Sequence, residues 1–360
     1  MLSRCFIAVF AVLLALPGCT CHPKSSDTAT GPGTPSHAIE KQVNLAIWAN
    51  YLSDEMVKSF TDKTGIQVAV TNYSSNEELL AKLQAGGDGY DVIVPSDYMV
   101  SVMTTLGLVQ RLDKSRFSNF AQIESKFLNK SYDPGNVFSV PYAWTVTGMA
   151  VNRQVFKEPI KGWADAFANP ALAGKISLLD DSREVLGVAL RLIGKSLNTT
   201  DAADLDAAKK TIAAFKPRVK AFTSEPIDGI SSGDIAVAQM YSSDALQASR
   251  KTGGKVEFIF PAEGATMAVD NLVIPKAAKH PNAAHALIDF LLSVDVGVAQ
   301  VQGVMSGPIQ RAVAGKLSAE LRNNKTLFPD VTLLSKFEMM QDIGDASSTY
   351  DRIWTELKAM

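Results

Sequence analysis

Two acidic side chains lie directly after a short apolar stretch, where a folded chain can present both to one ligand. Asp181 and Glu184 follow the predicted strand 175–179 and are three residues apart at the start of a predicted helix. Both carboxylates therefore fall on one helical face, and two converging negative charges favour a bound ammonium group. The same spacing is also that of a helix capping box. On spacing alone, the capping box is favoured over a ligand-binding role. The two roles are compatible, because a capping acid at a cleft edge keeps one oxygen for a ligand.

Two further carboxylates could serve the same chemistry. Asp244 follows the polar segment 241–243, and Asp270 lies between the apolar segments 267–269 and 272–274. An acid in such apolar surroundings needs a partner, either a ligand or a structural Lys, Arg or backbone N–H. A polyammonium ligand needs carboxylates for its charged ends and aromatic faces along its methylenes, where cation–π attraction adds about 0.5–2 kcal/mol.

Motifs for catalysis and for metal binding are poorly matched. Gly229–Gly233 has the spacing of a nucleophile elbow, but no buried strand precedes it and no helix follows it, so we predict a turn. Gly194–Ser196 is similar to the end of a P-loop, but Ala189 stands where that motif requires glycine, and a helix C-cap is predicted instead. His280 and His285 lack carboxylates at zinc-site spacing, which favours solvated or capping roles. We predict no enzyme activity, no metal and no cofactor.

Length and charge limit the remaining function classes. A chain of 360 residues is long enough for two domains of ordinary size. Its 35 Lys and Arg nearly balance 37 Asp and Glu, so there is no basic excess to neutralise phosphates. We predict no nucleic-acid partner.

The N-terminal segment predicts export. Arg4 precedes the apolar run 5–16, which is shorter than the ~20 residues that span a bilayer but typical of a signal peptide. Residues 16–19 resemble a lipobox, so we expect a signal peptide over 1–18 and a lipid anchor on Cys19. The alternative is an ordinary cleavage site that leaves Cys19 and Cys21 as thiols. Residues 19–40 are rich in Pro, Gly, Ser and Thr, which predicts a flexible tether.

Apolar periodicity predicts strands alternating with helices. Predicted strands cover 43–48, 66–71, 90–94, 175–179 and 235–240. Predicted helices cover 54–64, 77–84 with Asn76 as the cap, a segment from Ser96 to about Gly107, 184–192, 201–215, 282–292, 294–301 and 347–357. This alternation predicts a mostly parallel sheet covered by helices. Such sheets bind ligands beyond the carboxyl ends of their strands, which points to residues 48–51, 73–76 and 95–98 as a rim.

Dispersed segments of the chain resemble the bacterial spermidine/putrescine-binding periplasmic protein family. The matching segments are 60–66, 90–96, 139–142, 178–185, 286–292, 324–327 and 344–350. The resemblance implies an α/β, type II periplasmic-binding-protein fold, with two lobes, a ligand cleft and hinge crossovers. Its implied first lobe comprises 41–147 and 270–315, and its second lobe 148–269 and 316–360. It further implies a polyamine-binding protein in the periplasm or cell envelope that delivers its ligand to the membrane permease of an ABC importer.

The resemblance also implies a set of ligand-binding positions. They are Trp48, Asn50, Tyr51, Ser96, Tyr98, Asp181, Glu184, Ser224, Tyr241, Asp244, Asp270 and Gln341. Tyr241 stands where the family usually has Trp, and Asp244 matches an acid of putrescine-type members.

Three departures leave the ligand open. Asn50 replaces an acid common in the family, Ala268 replaces an aromatic residue, and Val304 or Met305, depending on alignment, replaces another. The site keeps its acids and loses part of its aromatic box. Alternatives are a protein of the same fold that binds another cationic amine or an amino acid, and a lipoprotein that senses polyamines rather than transporting them.

Overall fold

The structure, a computed structural model, describes residues 40–86, 89–334 and 336–360. The predicted signal peptide and nearly all of the predicted tether, including Cys19, lie outside the described residues. Within these ranges no single helix is long and apolar enough to cross a membrane; one pair, 281–291 with 294–304, has the length and composition only when joined, and it bends by 73°.

The strands occur throughout the described chain. In chain order they are β1 (Gln42–Trp48), β2 (Gln67–Tyr73), β3 (Val92–Ile93), β4 (Ser139–Asn152), β5 (Ile176–Leu178), β6 (Val219–Phe222), β7 (Val237–Tyr241), β8 (Val256–Ile259), β9 (Ala265–Val273), β10 (Gly307–Pro308) and β11 (Phe337–Met339).

The α-helices lie between these strands and at the C-terminus. They are α1 (Asp54–Thr64), α2 (Asn76–Gln84), α3 (Asp97–Thr105), α4 (Trp163–Ala168), α5 (Ser182–Leu192), α6 (Ala202–Phe215), α7 (Ile227–Ser232), α8 (Ser242–Lys251), α9 (Pro281–Leu291), α10 (Val294–Val304), α11 (Val313–Lys316), α12 (Ala319–Arg322), α13 (Val331–Leu334) and α14 (Ser347–Ala359).

Two local predictions need correction. The cap of α2 is Ser75, whose hydroxyl accepts a hydrogen bond from the backbone N–H of Glu78. The side-chain Oδ1 of Asn76 instead accepts one from the Ser96 backbone N–H. The 229–233 segment is the end of the short helix α7 rather than a turn, and Gly233 closes that helix with a positive φ of 85°.

The strands of the described chain form one mixed sheet rather than a mostly parallel one. Its order is β2-β1-β3-β9-β4-β7-β5-β6, with β8 and β10 pairing with β4 and β11 pairing with β9. The pairs at each end, β1 with β2 and β5 with β6, are parallel as expected. The long central strands β4 and β9 run antiparallel to each other and to the neighbours that join them to the two ends. Neither of these two strands was predicted. For β4 the reason is that every position is buried, so its sequence shows no alternation.

Successive residues of the outer strands pack into different hydrophobic cores. Leu45 and Ile47 of β1 join the core that contains α9, whereas Ala46 joins the core that contains α3. At the other end of the sheet, Val237 of β7 packs with α5 and Ala238 packs with α8. This period-two alternation places helices on both faces, and β4 and β9 connect the two ends.

Asp133 fixes the entry of the chain into β4. Its carboxylate is 3% exposed and accepts hydrogen bonds from the backbone N–H groups of Val137, Phe138 and Ser139 and from the Ser139 hydroxyl, at 2.7–3.0 Å. Removing the carboxylate would leave several donors unpaired where water has little access.

We expect Asp133→Ala to lower the free energy of unfolding by about 2–4 kcal/mol, because each buried donor left unpaired costs about 1–3 kcal/mol. Urea denaturation followed by circular dichroism measures the change. Asp133→Asn, which keeps one acceptor oxygen, should lose less. Asp228→Ala is the control, since its side chain is 88% exposed, and a loss as large as that of Asp133→Ala in this control would contradict the assignment.

Candidate ligand-binding site

One cavity collects nearly all of the side chains predicted to bind a ligand. Its lining includes ten predicted residues: Trp48, Tyr51, Ser96, Tyr98, Asp181, Glu184, Ser224, Tyr241, Asp244 and Asp270. Strands and helices from both ends of the sheet contribute to this wall. No lysine, arginine or histidine stands among the lining residues in the described part of the chain.

Asp270 is hydrogen-bonded to the cavity wall through both of its carboxylate oxygens. Its two carboxylate oxygens accept hydrogen bonds from the Tyr51 hydroxyl at 2.8 Å and from the Ser96 hydroxyl at 2.7 Å. Burial raises its pKa to about 6, and these donors oppose the rise. Its partners are hydroxyls of the cavity wall rather than the Lys, Arg or backbone N–H that a purely structural role predicts.

Aromatic rings line the cavity between the acids. Trp48 packs on Tyr73 with ring centroids 4.7 Å apart and meets Tyr241 edge-on at 6.2 Å. The Trp48 ring is fixed in place because its Nε1–H donates to the carbonyl oxygen of Val94 at 3.0 Å. Trp48 is the last residue of β1 and Tyr241 the last residue of β7, so strands from opposite ends of the sheet bring the two rings into contact at the cavity wall.

Asp181 and Glu184 begin α5 with different tasks. Asp181 is the N-cap, and its Oδ1 accepts from the backbone N–H groups of Arg183 and Glu184 at 2.9 and 3.0 Å. Glu184 does not complete a capping box: its Oε1 accepts from the Thr147 hydroxyl at 2.8 Å, and its Oε2 is buried without a hydrogen-bond partner. Both residues line the cavity, so the capping role of Asp181 is compatible with a place on the cavity wall.

Asp244 is the least compensated acid. It lies in the first turn of α8 and is 5% exposed. No described side chain or backbone group donates a hydrogen bond to its carboxylate, and burial is the cause that raises its pKa to about 7. Burial also raises the pKa of Asp181 and of Glu184 to about 7, and for Asp181 the neighbouring Glu184 charge adds to the rise.

Two predicted residues lie off the cavity wall. Asn50 has a positive φ of 57°, and its backbone oxygen accepts from the Gln247 side chain at 3.5 Å. The Gln341 backbone oxygen accepts from both terminal nitrogens of Arg183, and its neighbour Met340 lines the cavity instead. Neither Asn50 nor Gln341 lines the cavity, so their predicted ligand contacts stay predictions.

Several lining residues were not predicted as ligand-binding positions. Tyr73 and Asp97 fall within the polar rim segments 73–76 and 95–98, which were a usable signal. Thr145 and Thr266 come from the unpredicted strands β4 and β9, and nothing in the local sequence marks them. Ala268 also lines the cavity, at the position where the family usually has an aromatic ring.

The two histidines in the described part of the chain have structural partners. His280 pairs through Nδ1 with the buried carboxylate of Asp91 at 2.9 Å. His285 is buried rather than solvated; its Nε2 accepts from the Asp113 backbone N–H, and its Nδ1 lies 2.6 Å from the Pro281 oxygen. In residues 40–86, 89–334 and 336–360, no cluster of His, Cys, Asp and Glu has metal-site geometry.

Helix α8 also contacts α10 beside the cavity. The Arg250 guanidinium donates to the carbonyl oxygens of Gln302 and Gly303 at 2.6 and 2.8 Å, and the Gln247 amide donates to that of Val304 at 2.9 Å. These are the last carbonyls of α10, which carry the negative end of the helix dipole and favour a cation. Because Val304 packs in the core of β1 and α8 in the core of β7, the contact joins the two ends of the sheet.

The comparisons with known proteins agree with this arrangement. The family model described as bacterial extracellular solute-binding protein matches residues 55–329. A spermidine/putrescine-binding periplasmic protein of Salmonella typhimurium is 38% identical over 316 residues, covering 87% of this chain and 90% of the relative. A putrescine/cadaverine-binding protein of Pseudomonas aeruginosa is 33% identical over 340 residues, covering 91% and 96%.

A solved structure from Listeria monocytogenes is 30% identical with a TM-score of 0.85, covering 89% of this chain and 99% of that one. The α/β periplasmic-binding-protein fold predicted from the sequence is confirmed, and the family is one of binding proteins rather than enzymes. The chain belongs to the bacterial extracellular solute-binding protein family.

Proposed function

We propose that this protein binds a small polyamine, such as putrescine or spermidine, outside the cytoplasm and delivers it to the membrane permease of an ABC importer. The observation that carries the proposal is the set of five buried acids around one cavity, Asp97, Asp181, Glu184, Asp244 and Asp270, whose described lining contains no basic side chain. The relatives from Salmonella and Pseudomonas, which are named as polyamine-binding proteins, support the same function.

The acids differ in how many hydrogen-bond donors the protein supplies to them, and therefore in how much compensation a ligand would have to provide. Asp270 already has hydroxyl donors on both oxygens, whereas Asp244 has none from the described chain. A buried ionised carboxylate without a partner is costly, and a primary ammonium offers three donors and a full charge. Trp48 and Tyr241 would cover the methylenes between two ammonium groups.

A second candidate is another cationic amine or an amino acid. Ala268 lines the cavity at the position where the family resemblance implies an aromatic ring. Without that ring the cavity is wider. The carboxylates would therefore select for positive charge more strongly than the walls select for chain length. Calorimetric titration with putrescine, cadaverine, spermidine, spermine and arginine tests both candidates. Binding to a polyamine at micromolar concentration or tighter supports the proposal, and silence towards all four polyamines overturns it.

Attachment to the membrane forms part of the proposal. Cys19 would carry the lipid, and residues 19–40 would tether the body; both rest on the lipobox-like segment 16–19. Metabolic labelling with a fatty-acid probe should modify the wild-type protein and not Cys19→Ala.

We expect Asp244→Asn and Glu184→Gln each to weaken polyamine binding by at least tenfold, because each removes a buried charge that an ammonium would pair with. Calorimetry gives the dissociation constants, and circular dichroism checks that the fold is unchanged. Asp228→Asn, an exposed acid on α7, is the matched control. Unchanged affinity in both cavity variants would refute these site assignments.

Polyamine affinity should rise with pH between about 5.5 and 8. The unliganded carboxyls of Asp181, Glu184 and Asp244 have pKa values raised to about 7, and that of Asp270 to about 6. Ammonium groups bind the ionised form and stay charged over this range, since alkyl amines titrate near pH 10. Protons therefore compete with the ligand below pH 7, and binding releases protons.

Titrations at pH 5.5, 7 and 8.5, each in two buffers of different ionisation enthalpy, measure the proton release. Glu184→Gln should release fewer protons than the wild-type protein. Affinity that is constant with pH, or that rises on acidification, would contradict a carboxylate-based site.

We also propose that the body comprises the two lobes expected from the sequence, 41–147 with 270–315 and 148–269 with 316–360, and that they close on the ligand. The α8–α10 contact then acts across the two lobes. The contact of the Arg250 guanidinium with the carbonyls of Gln302 and Gly303 would be lost when the lobes open, and so would stabilise the closed form.

Arg250→Ala should raise the ligand dissociation rate about three- to tenfold, since losses of interface contacts act mainly on dissociation. Stopped-flow displacement measures the rate. The matched control is Lys251→Ala, whose side chain pairs with Asp228 within the same proposed lobe. Equal dissociation rates in Arg250→Ala and the control would exclude this closing contact.

A further inference from the structure

A second, much smaller cavity shares Glu184 with the ligand site. Its wall includes Glu184, Arg191, Thr147 and Gly264, and its volume is about 10 Å³. That is close to the space one water molecule requires. Glu184 and Thr266 line both cavities, so the small pocket adjoins the ligand site at these two residues.

The small cavity brings together two buried polar groups that lack partners. Glu184 Oε2 and Arg191 Nε are both buried, and neither forms a hydrogen bond with the described residues. They belong to one helix and are seven residues apart, which is two turns and therefore the same face. Thr266 also lines the pocket, but the Glu184 Oε2 atom still has no hydrogen bond of normal geometry. An acceptor and a donor that share a water-sized polar space have the requirements of a bridging water.

We infer that one ordered water molecule joins Glu184 Oε2 to Arg191 Nε, and that Arg191 is a positioning residue that keeps the ligand-facing carboxylate oriented and ionised. This inference rests on the proposed function for its effect on ligand binding. Its structural part, the linkage between the two side chains, does not depend on which ligand binds.

Arg191 is held in place by contacts on its other side. Its guanidinium donates to the backbone oxygen of Ala265 at 3.0 Å and pairs with Glu338 at 3.3 Å. Gly264 leaves it the necessary room, since a Cβ there would stand 2.5 Å from an Arg191 terminal nitrogen, and its φ of +108° also disfavours other residues. The guanidinium is thus constrained by contacts within the protein.

The charges around Glu184 decide the sign of the effect. Desolvation raises the pKa of Glu184, whereas Thr147, Thr266, Arg191 and Arg183 lower it. Among its charged or titratable neighbours, Asp181 at the start of the same helix favours the protonated form, and Tyr241 on β7 is neutral at physiological pH because its pKa is raised well above 10.

The neighbouring Glu338 offsets part of the positive charge of Arg191. Glu338 and Glu184 together favour the ionised form of Arg191. Arg191 therefore shifts Glu184 towards the carboxylate that an ammonium ligand needs. Because Arg191 also repels a cation, its removal should harm binding at low pH and not at high pH.

Arg191→Gln tests the inference through this pH dependence. We expect polyamine affinity to fall about tenfold at pH 6.5 and to stay within twofold of the wild-type value at pH 9. In the Glu184→Gln background the same substitution should have no further effect at pH 6.5. Arg191→Lys keeps the charge and should retain most of the low-pH affinity, and Arg352→Gln on the exposed face of α14 is the control for loss of an arginine. An equal loss at both pH values, or the same loss without Glu184, would mean a merely structural role and would overturn the inference.

A readout without ligand separates this inference from the proposed function. Carboxyl carbon NMR of the unliganded protein should show the Glu184 titration midpoint at higher pH in Arg191→Gln than in the wild type, with Arg191→Lys between them. An unchanged midpoint refutes the linkage even if polyamines bind. A shifted midpoint supports it even if no polyamine binds, in which case the proposed function alone fails. A high-resolution crystal structure should show one water within 3.2 Å of both atoms, as hydrogen-bond geometry requires.

Discussion

Burial of carboxyl groups away from water is the constraint on which the site depends. An ionised carboxylate loses strong hydration when it is buried, and the loss must be compensated by donors or by an opposite charge. The protein supplies these donors unevenly. Asp270 has hydroxyl donors on both oxygens and Asp181 has two backbone donors on one oxygen, whereas Asp244 has none from the described chain. Under the proposed function, a cationic ligand would supply the missing partner, and the binding free energy would come mainly from acids whose hydrogen bonding within the protein is incomplete.

The mixed sheet explains how these acids meet. β4 and β9 run through the middle of the sheet, and each carries polar residues into otherwise apolar surroundings. Thr147 on β4 holds Glu184 of α5, and Asp270 on β9 receives the hydroxyl of Ser96 from the loop before α3. Each central strand thus supplies side chains to partners from elsewhere in the chain. A displacement of either strand would alter the positions of acids on both sides of the cavity.

Sequence patterns located the parts of this arrangement that depend on local chemistry. The bounds of α1 follow from Ser53 as N-cap and Gly65 as C-cap, and the polar residues after β1 lie where the strand-end rule predicts. Local patterns could not reveal β4, whose uniform burial removes any alternation, nor the mixed strand order that follows from it. They also could not show that Glu184 would bond Thr147 rather than the cap, since those residues are 37 positions apart in sequence. The resemblance to a family supplied most site residues, yet it could not place Asn50 and Gln341 relative to this wall.

Helix N-termini at the cavity add a second electrostatic effect. A helix N-terminus carries partial positive charge and by itself attracts anions. Here α3, α5 and α8 present Asp97, the N-cap Asp181 and Asp244 at or near their first residues, and all three side chains line the cavity. The helix dipole stabilises the ionised form of each acid, and the full negative charge outweighs the partial positive one. Under the proposed function, these acids would convert helix ends that suit an anion into a site for a cation, and replacing them would alter the charge of the preferred solute without rebuilding the sheet.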